Sequence, residues 1–232
     1  LLASVLAIVS SMLVMGTQLG PHHAVQSKMN PRMITLAWTH KKLRRAYLGY
    51  LGHMWELYAL WAWIAPAAAA SYMLQTTEAN AIAWSKLTAF VAIASGALLC
   101  PFAGKIADRL GKAELTILAM TLSGSAALLA AVAFGGPIPL VAFVFVFWGV
   151  AVIPDSAQFS AMVADLSPAE MAGSLMSLQT ALGFALTIFT VQLTPFVAEL
   201  LGWPALFCIL AIGPIVGVAS MLGLTRQRLV KE

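Results

Sequence analysis

The sequence predicts an all-α polytopic membrane protein with seven transmembrane helices. Three observations carry that class. Of 232 residues, 61% are hydrophobic and only 9% charged, with a mean hydropathy of +0.89, outside the range of chains that fold in water. Residues 1–27, 57–77, 87–104, 115–154, 171–198 and 200–225 contain no Asp, Glu, Lys or Arg. The bases between these intervals collect on one side of the alternation, as the positive-inside rule requires.

A helix crosses the hydrocarbon core with about 20 residues, each rising about 1.5 Å. Interval 115–154 would extend for roughly 60 Å, twice the thickness available. "GGPIP" (Gly135 to Pro139) divides it, because paired glycines and prolines end a helix and form a turn. The expected spans are 1–19, 46–72, 84–103, 114–134, 139–160, 171–197 and 204–224. Lys28, Arg32, Lys41, Lys42, Arg44 and Arg45 lie between the first two spans. Lys105, Arg109 and Lys112 follow the third, and Arg226, Arg228 and Lys231 follow the last. Twelve of the thirteen bases therefore share the cytoplasmic side, Lys86 being the exception, and the C-terminus is expected to be cytoplasmic.

The net charge of +4 thus reports orientation, and no nucleic-acid partner is expected. Cys100 and Cys208 have no metal-ligand spacing and read as small buried hydrophobes. The four histidines also lack such spacing, and there is no phosphate loop or nucleophile elbow. No metal, cofactor or enzymatic activity is expected. Span one has neither a basic leader region nor an initiator Met, so the chain is expected to be a fragment of a longer protein.

"GKIADRLGKAE" (Gly104 to Glu114) concentrates charge after span three. Its order, Gly104, Ile106, Ala107, Asp108, Arg109, Gly111 and Lys112, resembles the signature loop of the major facilitator superfamily. That loop joins the second and third helices of each six-helix half, and Ala113 departs from it where a second base is common. "LGYLGHMWELYALWAW" and "PDSAQFSAMVADLSPAEMAGSLMSLQTALGFAL" resemble the seventh helix and the tenth-to-eleventh region of a bacterial branch. The resemblance implies a bacterial inner-membrane secondary transporter that moves a small solute by alternating access, with protons as candidate coupling ions. Span five lacks the Arg motif common in the fourth helix of N-terminal halves. Residues 1–19 are therefore read as the last helix of the N-terminal half, 20–45 as the central cytoplasmic loop and 46–232 as the C-terminal half. Gly104, Asp108, Arg109, Gly111 and Lys112 become the cytoplasmic gate motif, with Asp108 facing a helix of the missing N-terminal half.

Ionisable residues inside a membrane are costly and mark candidate sites. Glu56 lies about 15 Å into span two, near the midplane where transporter sites occur. It is read as a candidate proton or substrate site, or as a carboxylate that only joins helices. His53, three residues earlier, is expected either to hydrogen-bond Glu56 or to pack helices. Trp63, seven residues after Glu56, is the candidate stacking surface among Trp55, Tyr58 and Trp61. Asp155, after Pro154, is read as a pathway residue or a helix cap, and Gln179 and Thr180 as weaker pathway candidates. Gly213 and Gly217 suggest close helix packing. The partners expected are the solute, protons and the bilayer. The alternative function is a seven-helix receptor or photoreceptor, disfavoured because span seven has no Lys for a retinal Schiff base.

Overall fold

The structure is a computed structural model that describes residues 2–16 and 32–229. The chain divides into two units, Leu1–Asn30 and Pro31–Glu232. In the first, α1 (Leu2–Met15) is a charge-free helix of 14 residues. At about 1.5 Å per residue it is shorter than the hydrocarbon core. The remainder of expected span 1–19, and most of linker 20–45 with Lys28, lie outside the described residues, as does Lys231.

The second unit contains α2 (Arg32–Thr39), α3 (Lys41–Tyr72), α4 (Glu78–Leu110), α5 (Lys112–Ala133), α6 (Ile138–Val152), α7 (Ser156–Leu166), α8 (Ala172–Leu201), α9 (Trp203–Leu210) and α10 (Ile212–Leu229). Among the described residues there is no strand. Five stretches are long and apolar enough to cross a membrane: Glu78–Leu110, Lys112–Ala133, Ile138–Leu166, Ala169–Leu201 and Trp203–Thr225. Seven such spans were expected. Helix α1 falls short in length, whereas α3 has 32 residues but carries Lys41, Lys42, Arg44, Arg45 and Glu56. The reason for the lower apolarity of α3 is its position. It packs against α4, α6, α7, α8 and α10, so its side chains meet protein where a peripheral helix would meet lipid.

Indole and phenol donors fix the register of α3. Tyr47 Oη donates to the Leu175 carbonyl at 2.5 Å, and Trp63 Nε1 to the Val191 carbonyl at 3.0 Å. Both contacts advance in the same direction along the two helices, so α3 and α8 run parallel. Against α9 and α10 the order reverses. Arg45 bonds the Gly223 carbonyl, and Trp55 Nε1 donates to the Ile209 carbonyl at 3.1 Å. Between these ties the backbones nearly touch: a Cβ on Gly52 would stand 2.4 Å from Gly213 O, and one on Gly213 would stand 2.4 Å from Gly52 O. The packed side chains of the interior include Phe145, Trp148 and Phe207, with Trp148 meeting Phe207 edge-on at 5.5 Å.

Several expected boundaries are corrected. The charged segment after span three is helical, because α4 continues through Gly104, Asp108 and Arg109 to Leu110. Only Gly111 separates it from α5, with a φ of +108° that side chains rarely adopt. Residues 32–39 and 41–45 of the expected central loop are also helical. A helix satisfies its own backbone whatever its side chains, and Leu36, Ala37 and Leu43 also pack into the interior, so the charge that ends an apolar interval does not end the helix. Expected span 139–160 is broken between Val152 and Ser156, where Pro154 lacks an amide hydrogen and clashes with the preceding turn. Expected span 204–224 is interrupted at Ala211, three residues before Pro214, for the same reason. Cys100 and Cys208 are exposed, not buried.

Candidate functional site

The helix break between α6 and α7 assembles the most polar site in the second unit. Asp155 occupies the N-cap position of α7, yet its side chain makes no capping hydrogen bond. It turns instead toward α3, where His53 Nδ1 stands 3.1 Å from Asp155 Oδ1. His53 Nε2 lies 2.7 Å from the Ser156 hydroxyl. His53 and Asp155 are each only 1% exposed. Phe159, one turn into α7, packs on the imidazole at 5.7 Å and on Tyr50 at 6.1 Å. A helix break within an apolar stretch is tolerated where protein, not lipid, surrounds it.

The imidazole places both ring nitrogens against polar side chains. His53 Nδ1 approaches Asp155 without a hydrogen bond, leaving Asp155 Oδ1 without a hydrogen-bond partner, and Nε2 shares one hydrogen bond with the Ser156 hydroxyl, its direction set by the tautomer. Protonated His53 carries a donor on both nitrogens, and the Ser156 hydroxyl then accepts. Asp155 then supplies the countercharge that a buried imidazolium requires.

Glu56 belongs to a separate node. Its Oε1 accepts from Trp148 Nε1 at 2.6 Å, and its Oε2 accepts from Ser123 Oγ at 2.9 Å. The carboxyl group therefore ties α3 to α6 and α5. The expected His53 to Glu56 bond is absent from the hydrogen bonds of the described residues, because the two side chains three positions apart take different partners. Glu56→Leu leaves the Trp148 donor buried and unpaired, at a cost of about 1–3 kcal/mol, while the Ser123 hydroxyl falls back on the Met120 carbonyl of its own helix. Glu56→Gln retains an acceptor for Trp148 and a donor for Ser123, and should lose less than about 1 kcal/mol. Thermal unfolding of both variants in one detergent measures the contrast.

The other expected site residues are scattered. Trp63 lies between α3 and α8 through its bond to Val191 and borders a small apolar cavity with Trp148, Trp203 and Phe207. Gln179 on α8 is fully buried, and neither its amide nitrogen nor its amide oxygen has a hydrogen-bond partner. Thr180 is exposed and bonds its own helix at Met176. Of the gate motif, Lys112 pairs with Asp165 at 2.5 Å, linking the start of α5 to the end of α7. Asp108 and Arg109 are exposed in the last turn of α4. No cluster of His, Cys, Asp and Glu suited to a metal ion occurs among the described residues.

Sequence reasoning missed Ser123, Trp148 and Ser156. Ser156 directly follows Asp155, and that adjacency at a Pro-broken helix was the available signal. Ser123 and Trp148 had none, since a serine or tryptophan within an apolar helix declares its partner only after packing.

Long apolar helices enclosing paired ionisable groups define a polytopic membrane protein with a polar interior node. The sequence matches the Major Facilitator Superfamily over residues 46–231, and the chain belongs to that family of membrane transporters. The match selects the transporter over the receptor. No curated protein matches the chain.

Proposed function

We propose that residues 46–232 are the C-terminal six-helix half of a bacterial inner-membrane secondary transporter, with its C-terminus in the cytoplasm. It moves a small solute by alternating access together with an N-terminal half, and protons couple the cycle. The observation that carries this reading is the His53, Asp155 and Ser156 chain, which joins α3 to α7 at a helix break. Broken helices at buried polar groups are where transporters bind ions and solutes and where one bundle moves against another. Family membership and the bias of bases toward one side support the same reading. Residues 1–19 then belong to the preceding half and 20–45 join the halves. Glu56, Trp63 and Gln179 border the pathway, with Glu56 acting mainly as a helix tie. Gly104, Asp108, Arg109, Gly111 and Lys112 form the cytoplasmic gate, and exposed Asp108 faces the other half.

The test is uptake by the full-length polypeptide in proteoliposomes across a panel of sugars, organic acids and aromatic compounds. Saturable uptake of one class, driven by an inward proton gradient and abolished by a protonophore, is expected. Uptake no different from protein-free liposomes across the panel overturns the transporter reading.

A further inference from the structure

Helix α2 poses a question that transport does not answer. Its inner side chains, Leu36 and Ala37, join the hydrophobic cluster that includes Tyr47, Leu175 and Met171. Its outer side keeps Ile34 50% and Trp38 38% exposed. The Trp38 ring leans on buried Tyr47 with centroids 6.4 Å apart, which fixes the indole while leaving part of it uncovered. Directly after α2, the first turn of α3 presents Lys41, Lys42 and Arg44, and neither α2 nor that turn contains an acid. Arg44 bonds the Trp38 carbonyl at 3.3 Å, which brings its guanidinium over the end of α2. The ion pairs among the described residues, His53 with Asp155 and Lys112 with Asp165, involve none of these three bases.

We infer that α2 and the first turn of α3 form a docking surface for an anionic phospholipid headgroup. Ile34 and Trp38 enter the acyl boundary, while Lys41, Lys42 and Arg44 hold the phosphate. Three features favour this occupant. Exposed apolar groups and unpaired bases adjoin within eleven residues, from Ile34 to Arg44, as the boundary between headgroups and chains requires. An open groove of about 430 Å³ beside α2, lined by Thr35, Leu36, Thr39 and Met171, combines two hydroxyls with two apolar side chains and accommodates a glycerol-sized group. The surface also sits where α3 passes from four bases into a stretch with no further charge until Glu56, and tryptophan concentrates at such water-to-membrane transitions. A basic patch at that level is complemented by an anionic leaflet, each base near the surface adding on the order of fivefold to the preference.

The test uses the full chain in nanodiscs of phosphatidylcholine with phosphatidylglycerol as the minor lipid. The chains of one or the other lipid are brominated at the same mole fraction. The part of the fluorescence quenching lost in Trp38→Phe reports on Trp38 alone. Brominated phosphatidylglycerol is expected to quench that part about twofold more than brominated phosphatidylcholine. Lys41→Gln with Lys42→Gln and Arg44→Gln removes the preference while leaving Trp38 quenchable. Should that variant fail to fold, about 1 M salt, with a Debye length near 3 Å, must reduce the preference of the unaltered chain. Equal quenching by the two lipids overturns the proposal. So does the absence of Trp38 quenching by either, which would mean that protein covers this face. Neither outcome depends on whether the protein transports a solute.

Discussion

Full-length protein carrying Asp155→Asn should accumulate solute under a proton gradient on the order of 100-fold more slowly than wild type, the usual weight of a positioned proton-transfer group. Asparagine keeps the shape of the side chain and one carbonyl oxygen facing His53 Nδ1, 3.1 Å away in the native pair. Helix geometry should therefore survive. What is lost is the negative charge facing the buried imidazole. Solute exchange at equal pH on both sides needs no net proton movement and should persist at close to the wild-type rate. His53→Gln should give the same split, because the amide can bond Ser156 but cannot carry the proton. Loss of both gradient-driven uptake and exchange would instead assign the pair a structural role. An unaltered gradient-driven rate would remove it from proton coupling altogether.

Five of the seven expected passes were legible in the sequence, their chemistry less so. Charge-free intervals and "GGPIP" marked helices because lipid contact is a property of composition, which each segment carries by itself. Helix α3, read from the sequence as span 46–72, is not among the five apolar stretches. Its aromatic tips, bases and Glu56 lower its apolarity, and only the helices packed around it explain why that composition is tolerated. The break at Pro154 was visible as a proline, but a proline inside an apolar run can kink a helix as readily as divide it. Its division at Ile153–Asp155 places Asp155 against His53, a partner 102 positions away in sequence. Helical spacing put Glu56 within reach of His53, yet long-range donors from Trp148 and Ser123 take both carboxyl oxygens. The legible part was thus the local part. Pairings across helices depend on rotation and register, and small differences in either exchange one partner for another.

Gly52→Ala should be strongly destabilising although it adds a single methyl group. The added carbon would stand 2.4 Å from Gly213 O, 3.1 Å from Gly217 N and 3.2 Å from Gly213 C. All three are backbone atoms of α10. A flexible side chain could swing away, but here α3 and α10 must separate, loosening the neighbouring Trp55 to Ile209 and Arg45 to Gly223 ties as well. Overpacking of this kind costs about 3 kcal/mol or more. In a chain of this size the melting temperature should fall by on the order of 10 °C. Gly104→Ala supplies the contrast, since a Cβ there meets nothing within 4 Å. Removing a glycine from the interior of α4 should raise stability by about 0.5–1 kcal/mol, through helix propensity alone. The same substitution thus acts with opposite signs at two helical glycines, and thermal unfolding of the variants side by side reads the difference. A Gly52→Ala protein as stable as wild type would mean that the α3 and α10 backbones do not approach this closely. A destabilised Gly104→Ala protein would mean that another segment packs against the gate helix, which is the position the transporter reading reserves for the opposite half.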